Sequence, residues 1–275
     1  MLKDYNEIKE NQHSVLHFLP GNSFTPCSYA NILNEFTQNY LVKVFLLRSL
    51  WGDDKKPKFN DWKIFLDDYI NSIDIDNNII GIGHSIGGNL LLKAAILKPE
   101  KFKKIILLDP TFFRPRIIRV WKFFNFFNIQ HYFLPLIKSA QNKKMSFDCI
   151  DEMFISYRKN KKFSNFNDET LLQLIESLIM EVENNRVELI YPSDWDSRIY
   201  KKGLLNDMFI WKNLKSLKVD TSIIMASNSD VFTNSTKELV IRYNSSIKIH
   251  PILDADHLFP LNRSGDTIEL LRSII

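Results

Sequence analysis

A serine hydroxyl becomes a working nucleophile only when a base takes its proton and an acid orients that base. Residues 79–88 read Ile-Ile-Gly-Ile-Gly-His-Ser-Ile-Gly-Gly, with Gly83-x-Ser85-x-Gly87 at their centre. An apolar run leads in and an apolar helical run leads out. That strand, tight turn and helix context gives the five-residue pattern its meaning. Such a turn pushes the Ser85 side chain off the carboxyl edge of a sheet, while Gly83 and Gly87 leave room for neighbouring backbone. Ile86 then opens a helix, so its N–H is free to face an oxyanion. A dinucleotide fingerprint does not fit, because Ile86 stands where the third glycine belongs, and no Gly-Lys-Ser/Thr phosphate loop is present.

The base expected for Ser85 is His257, in the loop Asp254-Ala255-Asp256-His257-Leu258-Phe259-Pro260. Of the six histidines it is the one that lies in a loop beyond the last strand pattern. For the orienting acid, Asp230 follows the strand pattern at 221–226, and the order Ser, Asp, His is then kept along the chain. Asp109, at the end of the pattern 104–108, is the competing acid and reaches the same sheet edge. Asp254 and Asp256 are too close in sequence to His257 to orient it and are read as loop-forming. A tetrahedral intermediate needs two backbone donors. One is expected at Ile86. The other is expected at Asn22, in the turn Leu19-Pro20-Gly21-Asn22-Ser23, with help from its side chain.

These loops must be carried by a scaffold that brings strand ends together. Stretches 14–19, 41–47, 78–83, 104–108, 221–226 and 246–252 read as strands. Between or after them, 29–39, 62–72, 85–97, 234–243 and 267–275 read as helices. This alternation implies an α/β fold: a mainly parallel sheet of about six strands flanked by helices, with ligands beyond the strands' carboxyl ends. The alternation stops between about Thr111 and Leu217, where helical patterns such as 147–159 and 168–183 dominate. The expected organisation is therefore a core of residues 1–110 and 218–275, with an inserted helical cap over 111–217.

Composition narrows the class further. A chain of 275 residues with 45% apolar residues supports one large core. A formal charge of +4 with 25% charged residues does not imply a nucleic-acid partner. The two cysteines, Cys27 and Cys149, have no metal-ligand spacing, so neither metal nor other cofactor is expected, and a reduced, cytoplasmic setting follows. The first residues are polar, and no apolar run approaches the ~18 residues of a membrane span.

Taken together, these residues resemble the α/β-hydrolase superfamily over nearly the whole chain. The resemblance rests on Pro20-Gly21-Asn22, the elbow Gly83-His84-Ser85-Ile86-Gly87-Gly88, Asp230 and His257. It extends to a poorly characterised bacterial branch through Arg48-Ser49-Leu50-Trp51, Ser229-Asp230-Val231-Phe232 and the stretch Tyr191-Pro192-Ser193-Asp194-Trp195-Asp196-Ser197-Arg198-Ile199-Tyr200. The resemblance implies Ser85 as nucleophile, Asp230 as acid and His257 as base. Two departures stand out: Pro20-Gly21 replaces the usual His-Gly, and Leu46 to Gly52 replaces the common Asp-x-Arg-Gly-x-Gly.

The expected reaction is hydrolysis of a carboxylic ester, of carboxylesterase or lipase type, through an acyl-enzyme. The same triad on a thioester, lactone or C–C bond is the alternative, and a non-catalytic binding protein on this fold is a third reading. Dehalogenase or epoxide-hydrolase chemistry would need a carboxylate at position 85. His131 and Trp195 are candidates for lining a substrate pocket. Residues 112–146 hold seven Lys and Arg, nine aromatics and no Asp or Glu. The favoured reading of that stretch packs the aromatics against the core and turns the charges to water; the alternative is an apolar acyl pocket with a basic rim, suited to a lipid-like or anionic ester, or transient membrane contact.

Overall fold

The computed structural model describes residues 1–7, 14–52, 58–74 and 76–275. In chain order, the first half of the core comprises β1 (Leu2–Asp4), β2 (Val15–Leu19), α1 (Ala30–Phe36), β3 (Leu41–Phe45), α2 (Lys63–Ser72), β4 (Ile79–His84), α3 (Ile86–Leu97) and β5 (Phe102–Leu108). After β5 the chain leaves the sheet for a long insertion. That insertion runs through α4 (Pro115–Phe126), α5 (Gln130–Phe133), α6 (Pro135–Gln141), β6 (Ser146–Phe147), α7 (Ile150–Arg158), α8 (Asp168–Leu178), β7 (Ile179–Glu181), β8 (Val187–Leu189), α9 (Ser193–Lys202) and α10 (Met208–Asn213). The chain returns with β9 (Asp220–Ala226), α11 (Asn234–Tyr243), β10 (Lys248–Ile252), α12 (Phe259–Asn262) and α13 (Ser264–Ile274).

Seven strands form the main sheet in the order β1-β3-β2-β4-β5-β9-β10. All six strands read from the sequence are present and pair in parallel, from Leu16 beside Ile80 on β2 and β4 to Ile252 beside Ala226 on β10 and β9. The seventh, β1, lies antiparallel on the edge against β3, with Leu2 opposite Phe45. Three residues, two of them charged, give too little alternation to be read as a strand. The same charges suit an exposed edge.

Side-chain alternation along the strands divides the core in two. Ile105, Leu107, Ile223 and Met225 point into one apolar layer, packed by Phe65, Leu66, Leu90 and Leu91 of α2 and α3. Ile106, Leu108, Ile224 and Ala226 point into the other, packed by Ile32 and Leu33 of α1 and Leu271 of α13. The insertion feeds both layers. Ile118, Trp195, Ile199 and Trp211 join the first, and Met153, Leu171, Ile175 and Val187 join the second.

The insertion departs from expectation in three respects. It is not purely helical, because β6, β8 and β7 form a small antiparallel sheet. The pattern 168–183 is helical only to Leu178, where the chain extends at Ile179 into β7. The aromatics of 112–146 do not all pack inward. Phe112 and Trp121 are buried, while Phe123, Phe126, Phe127, Tyr132 and Phe133 are exposed. Among the described residues no helix is long and apolar enough to cross a membrane, and Cys27 and Cys149 are unpaired and exposed.

Candidate active site

Ser85 occupies the turn between β4 and α3 with φ 55° and ψ −117°, a conformation that a residue with a Cβ adopts only under constraint. The constraint is visible. Its N–H donates to the Leu108 carbonyl at 3.0 Å, and its own carbonyl accepts from the Thr111 N–H at 3.0 Å. The glycines are a matter of space: a Cβ at Gly87 would stand 2.0 Å from the Leu19 carbonyl oxygen, and one at Gly83 would stand 2.7 Å from Gly87 backbone. Helix α3 behind the turn is buried from Ile86 through Ala95, so its first turn cannot drift. Within it, Lys93 is paired with Asp207 of the insertion at 2.6 Å, both side chains being buried. Asn89 bridges Asp207 and the Thr111 carbonyl.

The loop after β10 brings His257 over this turn. Its Nε2 lies 3.0 Å from Ser85 Oγ and its Nδ1 lies 2.6 Å from Asp109 Oδ2. With Nδ1–H donated to the carboxylate, the Nε2 lone pair faces the serine hydroxyl. Asp109 is fully buried, whereas the His257 side chain is 23% exposed, so water reaches the imidazole but not the carboxylate. A second hydroxyl, Thr111 Oγ1, lies 3.3 Å from Ser85 Oγ.

The acid bonded to His257 is thus Asp109, and the expectation of Asp230 is corrected. Asp230 is exposed and makes no bond to His257. Its neighbour Ser229 turns inward instead and donates from Oγ to Asp109 Oδ2 at 2.5 Å, while accepting the Val231 N–H at 3.0 Å. The local contacts account for the outcome: Asp109 is buried against His257 Nδ1, and at the end of β9 the side chain that turns toward it is Ser229, which leaves Asp230 in solvent. Asp109 takes φ 40° and is held by its N–H to the Ile224 carbonyl at 2.8 Å and by the Ala226 N–H to Oδ1 at 3.3 Å. The sequence shows that Asp109 directly follows a strand, but not that it meets His257.

Behind the pair lies a buried polar chain that sequence reasoning missed. The Gly21 N–H donates to Tyr29 Oη at 3.0 Å, Tyr29 Oη lies 2.7 Å from His84 Nδ1, and His84 Nε2 lies 2.9 Å from the His257 carbonyl. A carbonyl only accepts, so Nε2 carries the proton. Nδ1 of the neutral ring then accepts from the tyrosine hydroxyl. Burial, reinforced by the nearby His257, holds the His84 pKa well below the ordinary histidine range, so the ring stays neutral.

The same chain decides which donors are free in the loop after β2. In the turn Pro20-Gly21-Asn22, Pro20 has no N–H and the Gly21 N–H is spent on Tyr29. The Asn22 N–H is the remaining one, together with that of Ile86, which as the first residue of α3 has no acceptor inside the helix. The Asn22 side chain does not aid the oxyanion as expected. Its Nδ2 donates to Asp196 Oδ1 at 2.6 Å and its Oδ1 accepts from Tyr191 Oη at 2.7 Å. Ser23 Oγ donates to the same Asp196 oxygen at 2.6 Å. Asp196, buried on α9, therefore anchors the loop from above.

The ring contacts of the two pocket candidates lie away from Ser85 and His257. Trp195 stacks on Phe59 with centroids 5.8 Å apart and leans on Phe65, so it is part of the apolar layer. His131 lies against the exposed Tyr132 with ring centroids 4.0 Å apart, on the outer side of the insertion.

The solved structures place this architecture. The chain superimposes on E-2-(acetamidomethylene)succinate hydrolase with TM-score 0.76 and 13% identity, covering 95% of this chain and 91% of that one. A carboxylesterase of the thaumarchaeon Nitrososphaera gargenis gives TM-score 0.73 and 13% identity over 99% and 92% of the two chains. The thioesterase domain from the curacin biosynthetic pathway gives 0.70 and 15% over 96% and 93%. The protein has the α/β-hydrolase fold, as its sequence resemblance implied. No family model and no curated protein matches the chain by sequence.

Proposed function

We propose that the protein is a serine hydrolase that cleaves a carboxylic ester through an acyl-enzyme. The observation that carries this reading is the continuous line from Ser85 Oγ through both ring nitrogens of His257 to Asp109, at 3.0 and 2.6 Å. In the first step Ser85 Oγ attacks the acyl carbon while His257 Nε2 takes the hydroxyl proton. The carbonyl electrons move to oxygen, where the N–H groups of Asn22 and Ile86 hold the developing charge. Collapse expels the alcohol, which receives the proton back from His257. Water then repeats the sequence on the acyl-enzyme, giving up one proton to His257 and releasing the acid with Ser85 restored. Asp109 accepts from Nδ1–H throughout and stabilises the imidazolium without itself taking the proton. The insertion, which holds Asn22 and Ser23 through Asp196, serves as the cap over this edge. No metal or organic cofactor enters any step.

Fluorophosphonate labelling of the wild type and of Ser85→Ala tests the nucleophile. Labelling of the wild type alone is expected, followed by turnover of a p-nitrophenyl ester series; an unlabelled wild type sinks the proposal. Labelling without turnover of any ester of the series points the same triad to a thioester, the bond named in the thioesterase neighbour.

A further inference from the structure

The outer face of the insertion pairs aromatic side chains with positive charge and leaves both in solvent. On α4 and its C-terminal cap, residues 116, 119, 120, 123, 126 and 127 recur at helical spacing and share one face, opposite the buried Ile118 and Trp121. That outward face holds Phe123, Phe126 and Phe127, which are 58%, 82% and 54% exposed. Their rings touch one another, at 4.8 Å for Phe123 and Phe127 and 5.0 Å for Phe126 and Phe127. The next turns add Tyr132 at 74% and Phe133 at 57% exposure. Surfaces of soluble proteins scatter their apolar residues singly; a cluster of this kind marks a docking site.

Charge identifies what docks. Arg116, Arg119, Lys122 and Lys138 are exposed around the aromatics, and no Asp or Glu occurs between Pro110 and Asp148. A second copy of this chain would set the same cations against themselves across a two-fold axis. An anionic phospholipid leaflet meets both halves of the face. Its headgroups attract the Arg and Lys side chains, and its interfacial zone takes aromatic rings, whose burial adds to the electrostatic attraction. We infer that the α4–α6 face of the insertion is a docking surface for anionic membranes. The contact is peripheral, by a helix lying in the interface plane. The Ser85 turn, between β4 and α3, is not part of this face.

Flotation of the full chain with vesicles tests this directly. At low salt the protein is expected to float with phosphatidylcholine–phosphatidylserine vesicles at least about tenfold more tightly than with phosphatidylcholine alone, and to be released by high salt. The doubles Phe123→Asp/Phe127→Asp and Arg116→Glu/Arg119→Glu should each weaken binding by about tenfold or more while keeping the wild-type circular dichroism, since all four residues are exposed. Ser85→Ala should bind as the wild type does, which separates this inference from the catalytic one. A wild type that stays in solution at low salt, or that ignores the phosphatidylserine, overturns it. So does light scattering that shows a dimer dissolved by the same substitutions without vesicle recruitment.

Discussion

Asp109 accepts from His257 Nδ1, from Ser229 Oγ and from the Ala226 N–H, and water does not reach it. Asp230, one residue beyond Ser229, points to solvent. The two carboxylates therefore predict opposite results. Asp109→Asn would present an amide that cannot stabilise the imidazolium and that favours the wrong imidazole tautomer. Its kcat on a p-nitrophenyl ester should fall by ~10³–10⁴-fold. Asp230→Asn should stay within about twofold of the wild type, as exposed substitutions outside the reacting groups usually do. Equal losses from the two would return Asp230 to the mechanism. That Ser85 and His257 meet was legible because each lies in a loop whose flanking pattern leaves one reading. The acid was not, because two aspartates follow strands in the permitted order. Which of the two turns inward is decided by contacts among the loops after β5, β9 and β10, a long-range property that only the fold shows.

At the scale of elements, the loop after β2 is held from two sides. Tyr29 ties Gly21 to His84 from within the core, and Asp196 of α9 ties Asn22 and Ser23 from the insertion. Removing the upper tie should cost rate more than substrate affinity. Asp196→Ala is expected to lower kcat by up to ~10²-fold with a smaller change in KM, because a displaced Asn22 N–H stabilises the transition state less and the ground state hardly at all. A change confined to KM would instead place Asp196 in substrate binding. Removing the lower tie, Tyr29→Phe, leaves a buried N–H and a buried imidazole nitrogen without partners. It should destabilise the fold by about 1–3 kcal/mol in urea titrations. The six parallel strands and their helices were readable from periodicity alone. The ties were not, since Tyr29 lies 55 residues from His84 and Asp196 lies 173 from Ser23, and a sequence shows no such pairing. The small sheet β6–β8 escaped for another reason: strands of two or three residues are too short to display alternation.

The molecule as a whole carries neutral histidines where water cannot reach, and this sets its response to acid. Both apolar layers continue from the sheet into the insertion, so unfolding the insertion exposes the core and a single cooperative transition is expected. His17, on β2, is buried between Tyr69 and Asp76, which itself pairs with Lys43 at 2.8 Å. Burial lowers its pKa, although Asp76 opposes the shift, and burial lowers that of His84 further. Both folded values lie below the unfolded value near 6.5. As pH falls through that value the unfolded chain binds protons that the folded chain refuses, so stability is complete above it and is lost below it. Each imidazole adds up to about 1.4 kcal/mol per pH unit to the slope. His250 shifts the same way but is partly exposed and adds less. Asp76, whose pKa is lowered in the fold, extends the loss further into acid. The urea midpoint should therefore drop steadily from near neutral to about pH 5, and His17→Gln should remove close to one proton's worth of that slope. A midpoint that stays level across this interval would mean that both imidazoles take up protons in the folded state. The Tyr29–His84–His257 chain would then be broken at its centre, and with it the support that holds the base over Ser85.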